Sequence, residues 1–109
     1  MVSIALFAAT GRRKRYSKRQ VLSEWYPDAW TDEENQISAD HYAYLKQALE
    51  DGVLILAGRS LDGIGPAVVV IEAETEEEAR AFLLEDPFVK SALFGAELHP
   101  FRAALVRMP

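Results

Sequence analysis

From Ala67 to Ala73 the chain reads AVVVIEA, and neither parity of the run is polar: Val68 and Val70 would point one way, Val69 and Ile71 the other. A strand with one face in water should alternate apolar with polar residues. The stretch VSIALFAA (2–9) breaks the same rule. So does the run from 53 to 57, where Leu54 and Leu56 sit against Val53, Ile55 and Ala57. These segments call for a sheet with two faces to be covered.

Helices enough for only one face can be found. Residues 2–9, ended by Gly11, form the first predicted strand. Residues 11–31 begin basic and end aromatic, with room for one helical turn near Gln20 to Trp25 and a loop marked by Pro27. Thr31 and Glu34 have capping-box spacing and acidic residues fill 32–34, so a helix should start there and stop at Gly52. Its apolar stripe is expected to carry Tyr42, Leu45, Ala48 and Leu49, with His41 at the edge of that stripe.

Strands at 53–60 and 67–73 flank the turn sequence LDGIGP (61–66). Thr75 and Glu78 repeat the capping-box pattern ahead of a helix at 76–85. Asp86 as N-cap and Pro87 at the first helical position suit a short helix through about Phe94. The last strand is expected at 96–106. Pro100 cannot donate to a ladder, so this strand should lie at an edge or bulge there.

The order is β-α-β-β-α-β. Two right-handed crossovers joined by a hairpin give an α+β, ferredoxin-like, four-stranded antiparallel sheet with strands one and three in the middle. Two helices cover one face. A second copy of the sheet is the economical cover for the other, so a homodimer packed sheet to sheet is expected.

At 109 residues the chain (1–109) has the length of a single domain, with 11–31 as a long basic and aromatic insertion after strand one. It has no cysteine, which excludes disulfides, zinc–thiolate sites and thiol nucleophiles. The apolar run at the start precedes its charges, the reverse of a signal peptide, and is far shorter than the roughly twenty residues of a membrane span. A cytoplasmic protein is the expectation.

The net charge of −5 conceals an asymmetry, since six of the twelve basic residues lie in RRKRYSKR, residues 12–19. Such a tract could neutralise phosphates. Only Tyr16 interrupts it as an aromatic and no RNA-binding signature accompanies it, so nucleic acid is not expected as a partner and a solvated loop is the plainer reading. GRSLDGIGP lacks the Gly-Lys-Ser/Thr ending of a phosphate loop and precedes a strand. Two histidines, His41 and His99, far apart in the pattern give no metal site, and no cofactor is implied.

His41 carries the chemistry, if any residue does. An imidazole at the seam of helix and sheet must find a partner or lose roughly 1–3 kcal/mol, so a structural role is one reading. General acid or base catalysis is the other. Asp86 has a capping role of its own, and its second oxygen is able to orient a histidine as carboxylates do in hydrolytic triads. Spacing alone does not show that the two meet.

The segments HYAYLKQALEDGVLILAGRS and AVVVIEAETEEEARAFLLEDPFVKSALFGAELHPFR, within residues 41–102, resemble the YciI-like (YCII-related) family. The shared pattern is a helix opening with His, strands ending Ala-Gly and Glu-Ala, a Glu-Glu-Ala-Arg helix, Asp-Pro-Phe, Val-Lys and a final strand with Pro-Phe. The resemblance implies a ferredoxin-like dimer with an α/β-barrel-like core. It also implies an active-site His and Asp falling on His41 and Asp86. Some relatives look like dehydrochlorinases or similar small-molecule lyases. Two departures are visible: Arg59 follows Ala-Gly where many relatives have Pro, and the 11–31 segment is longer than usual.

The expected function is proton transfer by His41 and Asp86 on a small organic molecule, of lyase, isomerase or dehydrochlorinase type. The alternative is a non-catalytic module binding a small ligand. Arg59 and Ser60, where strand two exits, are either an exposed hairpin end or an anion contact. Trp25 and Trp30, with Tyr26, either cover a pocket as substrate-binding residues or cover the dimer's open edge. His99, alternating with Glu97 and Phe101, is expected to be structural or exposed.

Overall fold

The computed structural model describes residues 2–9, 31–62 and 64–107. The predicted helical turn at 20–25, the basic tract and both tryptophans lie outside them. Strand β1 (Val2–Ala9) leads to helix α1 (Asp32–Glu50), and the hairpin β2 (Leu54–Arg59) and β3 (Ala67–Glu72) follows. Helices α2 (Glu76–Leu84) and α3 (Pro87–Lys90) then precede β4 (Phe94–Phe101). The sheet order is β2-β3-β1-β4, with every neighbouring pair antiparallel. This is the ferredoxin-like core, with the two most apolar strands at the centre.

Local chemistry accounts for the element ends. Thr31 Oγ1 accepts from the Glu34 N–H (3.1 Å) while the Thr31 N–H donates to Glu34 Oε1 (2.9 Å), a complete capping box. At α2 the box is shifted. Thr75 Oγ1 accepts from the Glu78 N–H, but Glu78 Oε2 takes the Glu74 N–H, one residue before the cap. Gly52, at φ 80°, ends α1 in the left-handed conformation that glycine adopts without a Cβ penalty.

One face of the sheet carries Ser3, Ala5 and Phe7 of β1 with Val69 and Ile71 of β3, all buried beneath the helices. Leu45 and Ala48 of α1, Ala79 and Leu83 of α2, and Phe88 of α3 close over them. The register sets side chains of this face in rows: Arg59–Ala67–Phe7–Ala96 is one and Ala57–Val69–Ala5–Leu98 the next. The opposite face shows Val2, Ile4, Leu6, Val68 and Val70, each half-buried, with Leu56 and Phe101 more exposed.

Three expectations need correction. Tyr42 and Leu49 are 70% and 56% exposed instead of lying in the core stripe of α1. The buried stripe is rotated toward Glu34, Ile37, His41, Tyr44, Leu45 and Ala48, because the helix packs on α3 and on the edge strand β2, and its other flank is left exposed. Only Leu54 is buried in β2, which is an edge strand with a bulge between Leu54 and Leu56.

Finally, α3 stops at Lys90 and β4 runs from Phe94 to Phe101, earlier than the expected 96–106. Ala92, at φ 61°, turns the chain sharply so that Leu93 and Phe94 enter the core. At the other end Phe101 pairs with Val2, where β1 begins, so residues 102–107 have no strand to follow and Leu105 is 95% exposed. Pro100 sits on an edge strand, as its missing donor requires.

Candidate functional site

His41 lies in the middle of α1, on the flank that passes over Phe7 and Phe88. Its ring stacks on the Phe88 ring with centroids 3.9 Å apart and planes 14° from parallel. The Phe7 ring meets it edge-on at 5.9 Å. Two aromatic walls therefore fix the plane of the imidazole.

Asp86 fixes its rotation. His41 Nδ1 and Asp86 Oδ1 are 2.6 Å apart, and Asp86 is only 1% exposed. The same Oδ1 accepts from the Phe88 N–H at 2.9 Å, as the N-cap of α3. One carboxylate oxygen thus starts the short helix and orients the histidine, while the helix it starts supplies the stacking partner. The Asp-Pro-Phe sequence builds all three parts within three residues.

This arrangement selects a tautomer. A carboxylate oxygen accepting from a backbone N–H is an acceptor, so Nδ1 is the donor and carries the hydrogen. Nε2 of the neutral ring then keeps its lone pair. Asp86 Oδ2 has no hydrogen-bond partner among the described residues although it is buried, and the same is true of Ser3 Oγ.

Beside this pair opens a cleft of about 540 Å³ between α1 and the β2–β3 edge. His41 lines it and Asp86 does not, so the histidine stands between the buried carboxylate and the cleft. Small residues make the space: Ala57, Gly58 and Ala67 form the sheet side, and the displaced Tyr42 and Leu49 form the helix rim. The exposure of Tyr42 and Leu49, unexplained by core packing, follows from their place along the cleft.

Arg59 also lines the cleft. Ser60 does not: its hydroxyl donates to the Pro66 carbonyl at 3.0 Å, closing the hairpin. Trp25 and Trp30 lie outside the described residues. His99 is exposed on the open sheet face, 3.4 Å from Glu97 Oε2. Among the described residues no group of three or more His, Asp or Glu side chains is placed to hold a metal ion, and no helix is long and apolar enough to cross a membrane.

Sequence reasoning missed Phe7, Phe88, Lys46 and Tyr44. Phe88, two residues after Asp86, was the legible one, since an N-cap bonds the backbone at that position. Lys46 lies one helical turn after Tyr42, on the cleft flank. The Tyr44 hydroxyl donates to the Phe82 carbonyl at 2.6 Å and ties α1 to α2 behind the site. Burial, with smaller contributions from Asp86 and Glu85, pushes the Tyr44 pKa up to about 12.

The sequence matches the model of the YCII-related domain over residues 13–102. The chain belongs to the YCII-related family. That match spans α1, the hairpin, both short helices and β4, and so includes His41 and Asp86. Among solved structures, this YCII-related chain is similar to 5-chloro-2-hydroxyhydroquinone dehydrochlorinase from Burkholderia phenoliruptrix, determined in complex with 2,5-dihydroxybenzoquinone. The two share 18% identity with a TM-score of 0.60 over 94% of each chain, which is a likeness of fold. No curated protein matches the sequence significantly.

Proposed function

We propose that this YCII-related protein is a small-molecule enzyme in which His41 transfers a proton to or from a ligand held in the cleft, with Asp86 as the group that orients it. The observation that carries this reading is the 2.6 Å contact between His41 Nδ1 and the buried Asp86 Oδ1 at the wall of an open cleft. A neutral imidazole with Nε2 free is a general base, and its protonated form returns the proton. Proton removal with loss of a leaving group is a lyase reaction, and proton relocation is an isomerase reaction. The structural neighbour's printed activity, a dehydrochlorination, belongs to the first kind and supports testing phenolic and chlorinated substrates.

The test is turnover by the wild type, His41→Gln and Asp86→Asn on a panel of hydroxylated and chlorinated phenols, read by absorbance and chloride release. His41→Gln should lose about 10²–10⁴-fold, the usual contribution of a positioned acid or base. Asp86→Asn should lose less, since Asn still accepts from Nδ1. Unchanged turnover in both variants would remove the mechanism.

A non-catalytic ligand-binding role is the second reading. It is favoured by the two structural tasks already met by Asp86 Oδ1, capping α3 and pairing His41. Under it, His41→Gln leaves ligand affinity intact and no compound is turned over.

The sheet's open face belongs to the same proposal. Val2, Ile4, Leu6, Val68 and Val70 make an apolar surface over which none of the described helices lies. A second copy laid sheet to sheet would cover it and give the α/β-barrel-like dimer. A cytoplasmic setting completes the reading. Trp25, Trp30 and Arg59 are carried into it as substrate-side residues, whereas Ser60, outside the cleft lining, keeps its place in the hairpin.

A further inference from the structure

Six described residues of α1 line the cleft: Ser38, His41, Tyr42, Leu45, Lys46 and Leu49. At about 100° per residue, the other five lie about 40–140° around the axis from His41, all to one side. Ile37, Tyr44 and Ala48, packed on the core, lie about 20–60° to the other side. His41 is therefore the boundary residue between the packed flank of α1 and its cleft flank.

Ser38 is the polar neighbour of His41 on the cleft flank. It lies one turn earlier, about 4.5 Å along the axis and about 60° around it. Side chains three residues apart on a helix are neighbours, with Cβ atoms about 5–6 Å apart. They also lean toward the N-terminus, which carries the imidazole over the turn that holds Ser38. Tyr42 follows His41 directly and does not face it, and Lys46 stands more than a turn behind.

The helix itself does not engage the Ser38 hydroxyl. A serine within a helix can return its hydroxyl to a carbonyl of the preceding turn. Ser91 Oγ bonds the Phe88 carbonyl in that way, at 3.3 Å, where α3 ends. Half-buried Ser38 makes no such bond, and no described residue is a hydrogen-bond partner of its Oγ. Much of the remaining wall is hydrocarbon, with Phe7, Leu45 and Phe88 on one side and Ala57 and Ala67 on the sheet side.

We infer that Ser38 is a ligand-binding residue of this cleft, its hydroxyl bonding one oxygen of a small planar ligand whose neighbouring oxygen lies at His41. The two side chains are adjacent on one wall, which suits oxygens on adjacent carbons, as in an ortho-diphenol. A serine hydroxyl both donates and accepts, so Ser38 holds its oxygen whether the ligand is neutral or ionised. This deepens the proton-transfer reading and rests on it only for the use made of His41, not for the bond at Ser38.

Binding, not turnover, is the test. Catechol and phenol, which differ by one neighbouring hydroxyl, are titrated by ligand-detected NMR into the wild type, Ser38→Ala, Ser38→Thr and His41→Gln. Alanine is the better helix former, so Ser38→Ala should melt no lower than the wild type, which circular dichroism checks. Catechol should bind the wild type about three- to tenfold more tightly than phenol, the worth of one hydrogen bond. Ser38→Ala should abolish that preference and Ser38→Thr, which keeps a hydroxyl, should restore it. His41→Gln should weaken both probes and keep the preference, since both place an oxygen at residue 41. No saturable catechol binding, equal binding of the two probes by the wild type, or a preference that survives Ser38→Ala would overturn the inference. A Ser38-dependent preference in a protein that turns over no phenol would leave the inference standing and remove the catalytic proposal.

Discussion

At the scale of single residues, Asp86 serves the fold and the candidate site through the same oxygen. It caps α3 and bonds His41 through one oxygen, all while 1% exposed. Asn is as good an N-cap as Asp, so Asp86→Asn should fold with nearly wild-type stability. Asp86→Ala removes the cap and strands two donors, which should cost about 2–4 kcal/mol in urea unfolding. A cost below about 1 kcal/mol would mean that neither bond matters to the fold. Tyr44 gives a pH signature. Its pKa is raised to about 12 from 10.0 by burial and by Asp86 and Glu85, so its contribution to stability is complete below pH 10 and is lost as pH rises through 12. Alkaline unfolding of the wild type should show that decline, and Tyr44→Phe should remove the part due to this residue. An identical alkaline limb in the variant would contradict the assignment.

Individual elements show what the amino-acid pattern can and cannot convey. Capping residues and turn glycines are local, and the starts of α1, α2 and α3 at Thr31, Thr75 and Asp86 were legible from them. The hairpin was legible for the same reason. Asp62 Oδ1 accepts from the Ile64 and Gly65 N–H groups, and those backbone bonds hold its carboxyl below the usual range. A Cβ at Gly65 would collide with Ser60 Oγ, so glycine is required there. The rotation of α1 was not legible. Tyr42 and Leu49 have helical spacing with Leu45, and only the tilt of the helix over the sheet decides that they line a cleft. The end of α3 was hidden too, because nothing in Ser91-Ala92-Leu93 announces a left-handed alanine. Ala92→Gly relieves that conformation at the expense of a more flexible unfolded chain, for a net gain of about 0.5 kcal/mol in chemical denaturation. A loss of stability would show that Ala92 packs in a way glycine cannot replace.

For the whole molecule, the two-faced apolar strands remain the feature with the widest consequence. Helices cover Ser3, Ala5 and Phe7, and leave Val2, Ile4 and Leu6 half-buried on the other side. Sedimentation should therefore give about twice the 12.2 kDa chain mass, and Val70→Lys, at the middle of that face, should return a monomer. A wild type that stays monomeric at micromolar concentration would remove the sheet-to-sheet dimer. The pairing of His41 with Asp86 belongs to the same scale, because 45 residues separate them and α1, the sheet and α3 must all be in place for them to meet. The function proposed here depends on what that meeting does to the imidazole. Long-range ¹H–¹⁵N NMR of the histidine side chains reads this directly, with His41→Gln assigning the signal. The account predicts a ring that carries its hydrogen at Nδ1, bonded to Asp86, and none at Nε2; a ring protonated at Nε2 and indifferent to Asp86→Asn would contradict it.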